Sequence, residues 1–238
     1  MHLAAAADKI LPVLKTMSPE QVRRALAEAE ASPLAASDVV YPGWYLHRWH
    51  FLPEGYLSRR GVAGYETLIR RLYYNLRERE VLERVARELR GAHAIAELGC
   101  GTGRALALLR QRLPDATLKG IDLSPFMLER ARTRLPLEVE LRHANSDSLP
   151  WSEESVDAVV ALHHLGHMPG RDAAKSVAEA SRVLRPGGQL LLVEHRWHRL
   201  PAMPLRTIRR VAIAGGAMCL TLARKESSMT TDGATAYA

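Results

Sequence analysis

The sequence predicts an α/β protein with a doubly wound, mostly parallel sheet, and three observations support this prediction. Short apolar segments typical of strands alternate with amphipathic segments typical of helices through most of the chain. The first strong strand pattern runs into Gly99, Gly101 and Gly103, as expected where a strand turns sharply into a helix. Near the end of the chain, two apolar segments flank a Gly-Gly pair at 215–216, which favours a hairpin.

Residues 1–64 are predicted to form a helical and aromatic extension. The segment 18–21, Ser-Pro-Glu-Gln, combines an N-cap, a first-turn proline and the glutamine of a capping box, which predicts a helix to about Ala31. Another helix is predicted over residues 4–17. The stretch 41–51 is rich in tryptophan and tyrosine, whose rings would line a pocket, contact a lipid surface or pack against the rest of the chain.

Residues 65–225 are predicted to form the sheet domain, which is entered through an amphipathic helix over residues 65–90 that ends at Gly91. Strands are predicted at 93–98, 116–121, 137–142, 157–162, 189–194, 205–213 and 217–223, the last two as an antiparallel pair. Residues 195–204 are too short and proline-broken for a full helix. Residues 226–238, rich in serine, threonine and alanine, are expected to form a disordered tail.

The turn after the first of these strands is the most informative motif. Glu97 precedes three glycines spaced two apart, Gly99, Gly101 and Gly103. Glycine tolerates backbone angles closed to other residues, and the helix that follows would present free amide groups to a ligand. A dinucleotide fold would want G-x-G-x-x-G, and neither frame places a glycine at the last position. The loop therefore predicts a nucleotide-like ligand and makes NAD a less favoured one.

From Glu97 onward the chain resembles the class I S-adenosylmethionine (SAM) dependent methyltransferases, whose glycine loop has an acid, any residue, and then Gly-x-Gly-x-Gly. Asp122, about 20 residues past the glycines, stands where the family binds ribose. The segment 143–150 is similar to the family's third-strand exit. The segment 180–193 is similar to its helix, tight turn and fifth strand. These four ordered motifs support the resemblance over roughly residues 65–225.

The resemblance implies a Rossmann-like, seven-stranded fold and SAM as the cofactor. Glu97 would organise the methionine amino end and Asp122 would bind ribose. Leu123 and Met127 would pack on adenine. Asn145 replaces the acid that meets the adenine amine, and its amide oxygen still accepts a hydrogen bond. The cofactor-binding residues implied in this way are Glu97, Gly99, Cys100, Gly101, Gly103, Asp122, Leu123, Met127, Asn145, Ser146 and Ala161.

Ligands of open α/β sheets bind beyond the carboxyl ends of the strands, which places the methyl acceptor near residues 161–169 and 194–198. His167, Glu194 and His195 are therefore candidates to act as a base or to orient the substrate, since histidine can take the proton that a hydroxyl loses. Two alternatives stay open: these side chains only bond the backbone, or in-line orientation suffices without a base. No metal site is predicted, because no carboxylate or cysteine spacing supports one.

Composition restricts the class of protein further. The chain carries a formal charge of +7, but its arginines alternate with acids, which favours a solvated surface over nucleic-acid binding. With only Cys100 and Cys219, a disulfide framework is not indicated, and a reduced, cytoplasmic environment is expected. No segment has the length and apolarity of a membrane span, and the first residues lack a signal-peptide pattern.

The expected function is transfer of a methyl group from SAM to an oxygen, carbon or nitrogen of a small or lipophilic acceptor. The best resemblance is to the branch of the family that acts on quinones, sterols and secondary metabolites. The extension 1–64 is hypothesised to serve as a lid or substrate cap, and peripheral membrane contact is compatible with it. The alternatives are an RNA or protein methyltransferase that uses the basic surface, a non-catalytic SAM-binding subunit, and a NAD or nucleotide-sugar enzyme.

Overall fold

A seven-stranded sheet forms the centre of residues 16–74 and 76–227, which are the part of the chain that this computed structural model describes. The strands are β1 (Ala94–Leu98), β2 (Thr117–Asp122), β3 (Glu140–His143), β4 (Val156–Leu162), β5 (Leu184–His195), β6 (Arg206–Ile213) and β7 (Met218–Arg224). Their order is β3-β2-β1-β4-β5-β7-β6; β7 is antiparallel to both its neighbours, and the other pairs are parallel. This topology confirms the predicted doubly wound sheet and its antiparallel closing pair.

Helices cover both faces of this sheet. The helices of the described range are α1 (Pro19–Glu30), α2 (Arg59–Gly64), α3 (Arg70–Tyr73), α4 (Glu78–Glu88), α5 (Arg104–Arg112), α6 (Pro125–Arg132) and α7 (Gly170–Val183), with a π turn at Tyr65–Ile69 and 3-10 turns at Trp49–Phe51, Leu165–His167 and Ala214–Gly216. On one face Leu82, Leu106 and Leu128 of α4, α5 and α6 share a core, and on the other Val177 of α7 packs with Leu192. None of these described helices is long and apolar enough to cross a membrane.

The capping box predicted at residues 18–21 is present. The Ser18 hydroxyl accepts a hydrogen bond from the Gln21 amide at 3.2 Å, and the Gln21 side chain accepts one from the Ser18 amide at 2.8 Å. The helix that they start, α1, ends at Glu30, which confirms the prediction. The helix predicted over residues 4–17 lies outside the described residues except for its last two positions, and the predicted tail does so from residue 228 onward.

The continuous helix predicted over residues 65–90 is wrong. The chain forms the π turn, α3 and α4 instead, and it leaves the helical conformation before α4, where Leu76 has a φ of 58°. The buried ring of Tyr74 packs edge-on against His163, with 4.7 Å between the ring centroids. This tertiary contact overrides the helical periodicity of the segment. Gly91 has a φ of 86°, as expected for the predicted C-cap.

Two strands differ from their predicted bounds for identifiable reasons. The start of β3 is later than predicted, because the Arg132 guanidinium donates hydrogen bonds to the carbonyls of Pro136 and Val139, both at 2.8 Å, and holds that segment in a loop. The start of β5 is earlier, at Leu184. The predicted tight turn remains within this strand as an irregularity in its pairing with residues 156–158 of β4.

The extension packs directly against the sheet domain. Ala25 and Ala29 of α1 share a core with Tyr45, and this core includes Phe126 and Met127 at the start of α6. Buried apolar contact of this kind stabilises the extension in one position relative to the sheet. The cavity described next therefore has walls from both parts of the chain.

Candidate active site

The glycine loop joins β1 to α5 at the carboxyl edge of the sheet. Gly99 and Gly101 have φ values of 62° and 51°, which residues with side chains rarely adopt. A Cβ atom on Gly99 would lie 2.4 Å from Nδ1 of His164, whereas one on Gly101 would meet no atom within 4 Å. Protein atoms therefore fill the space beside Gly99, and the backbone of Gly101 stays open to a ligand.

Asp122 ends β2 beside this loop. Its carboxylate accepts hydrogen bonds from the amides of Gly101 and Ser124, each at 2.8 Å. Burial raises the pKa of Asp122 to about 6, although both amides act to lower it. A carboxylate offers about four lone-pair sites, so acceptor positions remain for the two hydroxyls of a ribose.

Glu97 lies near the end of β1 and lines a small cavity. The walls of this cavity share Gly99, Gly101 and Leu162 with a larger cavity next to it, which is called the main cavity below. The Glu97 carboxyl is buried, and Oε2 has no hydrogen-bond partner among the described residues. Burial and the charge of Asp122 raise the pKa of Glu97 well above its usual value. An unpaired buried carboxylate is costly unless a cation meets it, so this position fits the ammonium group of SAM.

The main cavity has a volume of about 770 Å³ when its open mouth is included. Ser146, at its wall, bonds through its hydroxyl to Nε2 of His164 at 2.9 Å and to the hydroxyl of Ser176 at 2.7 Å, which fixes the segment after β3. The predicted cofactor residues that line this cavity are Gly99, Gly101, Asp122, Leu123, Met127, Asn145 and Ser146. With Glu97 next to them, the structure brings most of the predicted set together.

Gly103, Ala161 and Cys100 have other surroundings. Gly103 lines neither of these cavities. A Cβ atom at this position would lie 2.7 Å from Cδ1 of Leu135, so the lack of a side chain at Gly103 allows close packing against Leu135. Ala161 is fully buried within β4. Cys100 lines the smaller cavity, its amide donates to the Ile121 carbonyl at 2.8 Å, and burial raises the pKa of its thiol.

Aromatic and histidine side chains form the rest of the main cavity wall. The extension contributes Trp44, Tyr45, His50 and Tyr56, and the segment after β4 contributes His163, His164, His167 and Met168. Three of these extension residues, Trp44, Tyr45 and His50, belong to the aromatic stretch 41–51 and lie against a ligand-sized space, rather than only in packing contacts. This wall is next to the glycine loop, since His164 fills the space beside Gly99.

His167 presents a defined hydrogen-bonding pattern. Its Nδ1 lies 2.8 Å from the carbonyl oxygen of His163, and because a carbonyl only accepts, Nδ1 carries the proton. Its Nε2 lies 3.3 Å from Nε2 of His50 and 3.5 Å from the Tyr56 hydroxyl. Burial and then His50 lower the pKa of His167 to about 4, so the ring is neutral near pH 7 and Nε2 is an acceptor facing these two groups.

The neighbouring histidines are also neutral. Burial lowers the pKa of His163 to about 3, with a further contribution from His195, and burial alone lowers the pKa of His164 to about 4. His163, His164 and His167 therefore contribute imidazole rings without imidazolium charge to the wall near pH 7. Among the described residues, no group of three or more His, Cys, Asp or Glu side chains has the arrangement of a metal site.

The structure does not bring Glu194 and His195 to the cavity beside His167. Glu194 accepts hydrogen bonds from the amides of Leu165 and Gly166 at 2.7 and 3.3 Å, and thereby holds the 3-10 turn that carries His167. His195 stacks on a tryptophan at 4.3 Å, outside the described cavity walls. Only the first of the three predicted catalytic candidates faces the cavity.

Sequence reasoning missed His50 and Tyr56 as members of the site. His50 carried a usable signal, because it lies within the aromatic stretch that was expected to line a pocket. Tyr56 carried none, since it is a single tyrosine outside that stretch. His164 was visible beside His163, and its place against Gly99 follows only from the fold.

Comparison with known proteins agrees with this geometry. Residues 95–188 match the profile of a family described as a methyltransferase domain. The trans-aconitate 2-methyltransferase of Methylobacterium radiotolerans is 36% identical over 141 residues, which cover 58% of this chain and 49% of that protein. The ubiquinone/menaquinone biosynthesis C-methyltransferase UbiE of Syntrophotalea carbinolica is 35% identical over 142 residues, which cover 58% of this chain and 59% of that protein. The chain thus spans about half the length of these curated relatives.

A solved structure shares the architecture. An O-methyltransferase family protein from Burkholderia thailandensis superposes with a TM-score of 0.59 at 17% identity. The superposition covers 71% of this chain and 60% of that one. At this identity the likeness establishes the fold, which is the one that the sheet order describes.

Proposed function

We propose that the chain carries a class I, SAM-dependent methyltransferase domain, which the match of residues 95–188 to a methyltransferase domain supports, and that it transfers the methyl group of SAM to a hydroxyl oxygen of a small acceptor, with His167 receiving the proton. One observation supports the proposal above all. The glycine loop, Asp122 and His167 line the same cavity, and Glu97 lines a smaller one that shares wall residues with it, so a cofactor and an acceptor would meet there.

The proposed cofactor position follows from the polar groups. Glu97 meets the ammonium, Gly101 admits the ligand to the backbone, and Asp122 accepts from the ribose hydroxyls. Adenine lies against Leu123 and Met127, where apolar side chains line the cavity. Each of these assignments uses a group whose burial or geometry leaves room for the ligand.

Bound SAM supplies an electrophilic methyl group. His167 then acts on the acceptor, because its Nε2 takes the hydroxyl proton as the oxygen attacks. A ring with a pKa of about 4 is too weak a base to form a free oxyanion first. Proton transfer therefore accompanies bond formation, and orientation of the two reactants supplies much of the acceleration.

The extension is proposed to be the substrate cap of this site. His50 and Tyr56 reach Nε2 of His167, and the Ser124 hydroxyl donates to the Tyr56 carbonyl at 2.6 Å. The extension thus closes over the acceptor position and is bonded to the start of α6. This arrangement supports the hypothesis that the extension serves as a lid or substrate cap.

The first test is binding of S-adenosylhomocysteine by calorimetry to the wild type and to Asp122→Ala. Hydrogen bonds to a charged group are worth about 1.5–3 kcal/mol, so the variant is expected to lose about 10- to 100-fold in affinity. Asp115→Ala is the matched control, because Asp115 is exposed near the other end of β2. Equal affinity of all three proteins, or binding of NADH instead, would overturn the cofactor assignment. Binding without turnover of any acceptor would favour the non-catalytic subunit.

Peripheral contact with a lipid surface belongs to the same proposal. Leu68, Leu72 and Leu76 lie in the segment that walls the cavities and are 57, 62 and 79% exposed. Co-sedimentation with phosphatidylglycerol vesicles is expected for the wild type and should be weakened by Leu72→Asp. Leu137→Asp is the control, because Leu137 is even more exposed than Leu72, at 87%, but lies before β3, at the opposite edge of the sheet. Sedimentation that is the same for both variants would refute the contact.

A further inference from the structure

The walls of the main cavity carry no lysine or arginine among the described residues, although the chain contains 33 of them. Asp122 is the one acidic residue of this described wall, and its oxygens already accept from two amides. A carboxylate or phosphate on the acceptor would enter without a cation to pair with, which is costly in a buried site. The wall therefore disfavours an anionic acceptor.

The same wall disfavours a cationic acceptor. His163, His164 and His167 are buried together there, and none of them holds a proton easily because burial lowers each pKa. The burial that keeps these three imidazoles neutral also imposes a desolvation penalty on an ammonium group added beside them. The acceptor that best matches this wall has no net charge.

The rings around His167 fit an aromatic acceptor. Trp49 and His50 meet the His167 ring edge-on, with centroids 5.0 and 5.5 Å apart, and Tyr56 meets Tyr65 edge-on at 5.7 Å. Aromatic rings prefer edge-to-face or offset neighbours at such distances. A planar ring in this space would extend the pattern, whereas a flexible aliphatic chain would use only its apolar surface.

The polar groups within this ring of aromatics fit a hydroxyl. Nε2 of His167 accepts, and the groups facing it are Nε2 of His50 and the Tyr56 hydroxyl, at 3.3 and 3.5 Å. A hydroxyl is small, donates one proton and accepts through its oxygen, so it can take the position of His50 against His167 and also accept from Tyr56. His50 then marks the place of the acceptor hydroxyl.

We infer that the acceptor is an uncharged hydroxyaryl compound, whose ring packs against Tyr56 and Tyr65 and whose hydroxyl displaces His50 from Nε2 of His167. This inference rests on the proposed function, since the methyl group would come from SAM bound beside the loop. In the transfer the aryl oxygen forms a bond to the methyl carbon, the sulfur–carbon bond of SAM breaks, and the hydroxyl proton goes to His167. The products are the aryl methyl ether and S-adenosylhomocysteine.

The test uses the full chain loaded with S-adenosylhomocysteine and two isosteric probes, 4-hydroxybenzamide and 4-hydroxybenzoate, measured by calorimetry. The neutral amide is expected to bind at least about tenfold more tightly than the anion. Benzamide, which lacks the hydroxyl, should bind more weakly than 4-hydroxybenzamide, and His167→Ala should remove that difference. Met168→Lys, which adds a cation at the wall, should shift the preference toward the benzoate.

Each contrary result has a distinct meaning. Equal or tighter binding of the benzoate, or no binding of either probe to the loaded protein, would overturn the acceptor class. Because loading with S-adenosylhomocysteine is measured first, failure at that stage would instead remove the proposed function. A preference unchanged in Met168→Lys would also overturn the inference, because charge at this wall would then not select the acceptor.

Discussion

Glu97→Gln is expected to weaken binding of S-adenosylhomocysteine by about 10- to 100-fold while raising the thermal stability of the ligand-free protein. The carboxyl is buried, and its Oε2 is unpaired among the described residues, so the charge is unfavourable until an ammonium group arrives. Glutamine keeps the shape and removes the charge. A charge-assisted hydrogen bond of about 1.5–3 kcal/mol is then lost from the complex.

The pH dependence of this effect has a defined sign. Folding raises the pKa of Glu97 above its value of 4.5 in the unfolded chain, so the folded state favours the protonated acid. The ligand-free wild type loses stability as the pH rises above 4.5, and Glu97→Gln does not, so the difference in melting temperature should widen toward neutral pH.

Asp157→Asn is the matched control for Glu97→Gln. It removes a charge near the opposite edge of the sheet, where Asp157 accepts from the amides of His93 and Ala94 and pairs with Arg185. This carboxylate is satisfied, so the control should lose stability and keep its affinity for the ligand. If Glu97→Gln keeps full affinity, or melts below the wild type at neutral pH, the assignment of Glu97 to the ammonium fails.

His167→Ala is expected to lower kcat for methyl transfer to 4-hydroxybenzamide by about 100- to 10,000-fold, the usual range for loss of a general base. Affinity for S-adenosylhomocysteine should change little, because His167 faces the acceptor wall. The wild-type rate should be insensitive to pH near neutrality and fall as the pH approaches about 4, where the ring becomes protonated. Methyl transfer is measured with radiolabelled SAM.

His195→Asn separates this role from a general effect of removing a buried histidine. His195 ends β5 and stacks on Trp197 outside the described cavity walls, so its loss should leave kcat within a few-fold of the wild type. A fall in kcat as large as that of His167→Ala would assign the role of proton acceptor to His195, at the end of β5, instead of His167. A wild-type rate in His167→Ala would mean that orientation alone drives the transfer.

The fold could be predicted because its signals are local, and the residues proposed to bind the cofactor lie together for the same reason. Periodicity identifies strands and helices, and Glu97, the glycines and Asp122 lie at or directly after the ends of two strands. The acceptor half could not be predicted in the same way. Nε2 of His167 meets His50 and Tyr56 across 117 and 111 residues of sequence, and such pairs leave no pattern in a single chain.

The errors in element bounds have the same origin. Residues 65–90 have helical periodicity, yet Tyr74 packs against His163 and the helix breaks before α4. Arg132 similarly holds the residues before β3 in a loop through two carbonyl oxygens. In both places one side-chain contact with a distant or loop segment sets the backbone conformation. The periodicity of the local sequence does not reveal that contact.

The hydroxyl of Ser124 joins the two halves of the site. Ser124 donates its amide proton to Asp122 and its hydroxyl proton to the Tyr56 carbonyl, and Tyr56 reaches His167 through its own hydroxyl. A ligand that orders Asp122 is therefore expected to order the acceptor wall as well, through Ser124 and Tyr56. By thermodynamic reciprocity, we expect the two ligands to raise each other's affinity by the same factor.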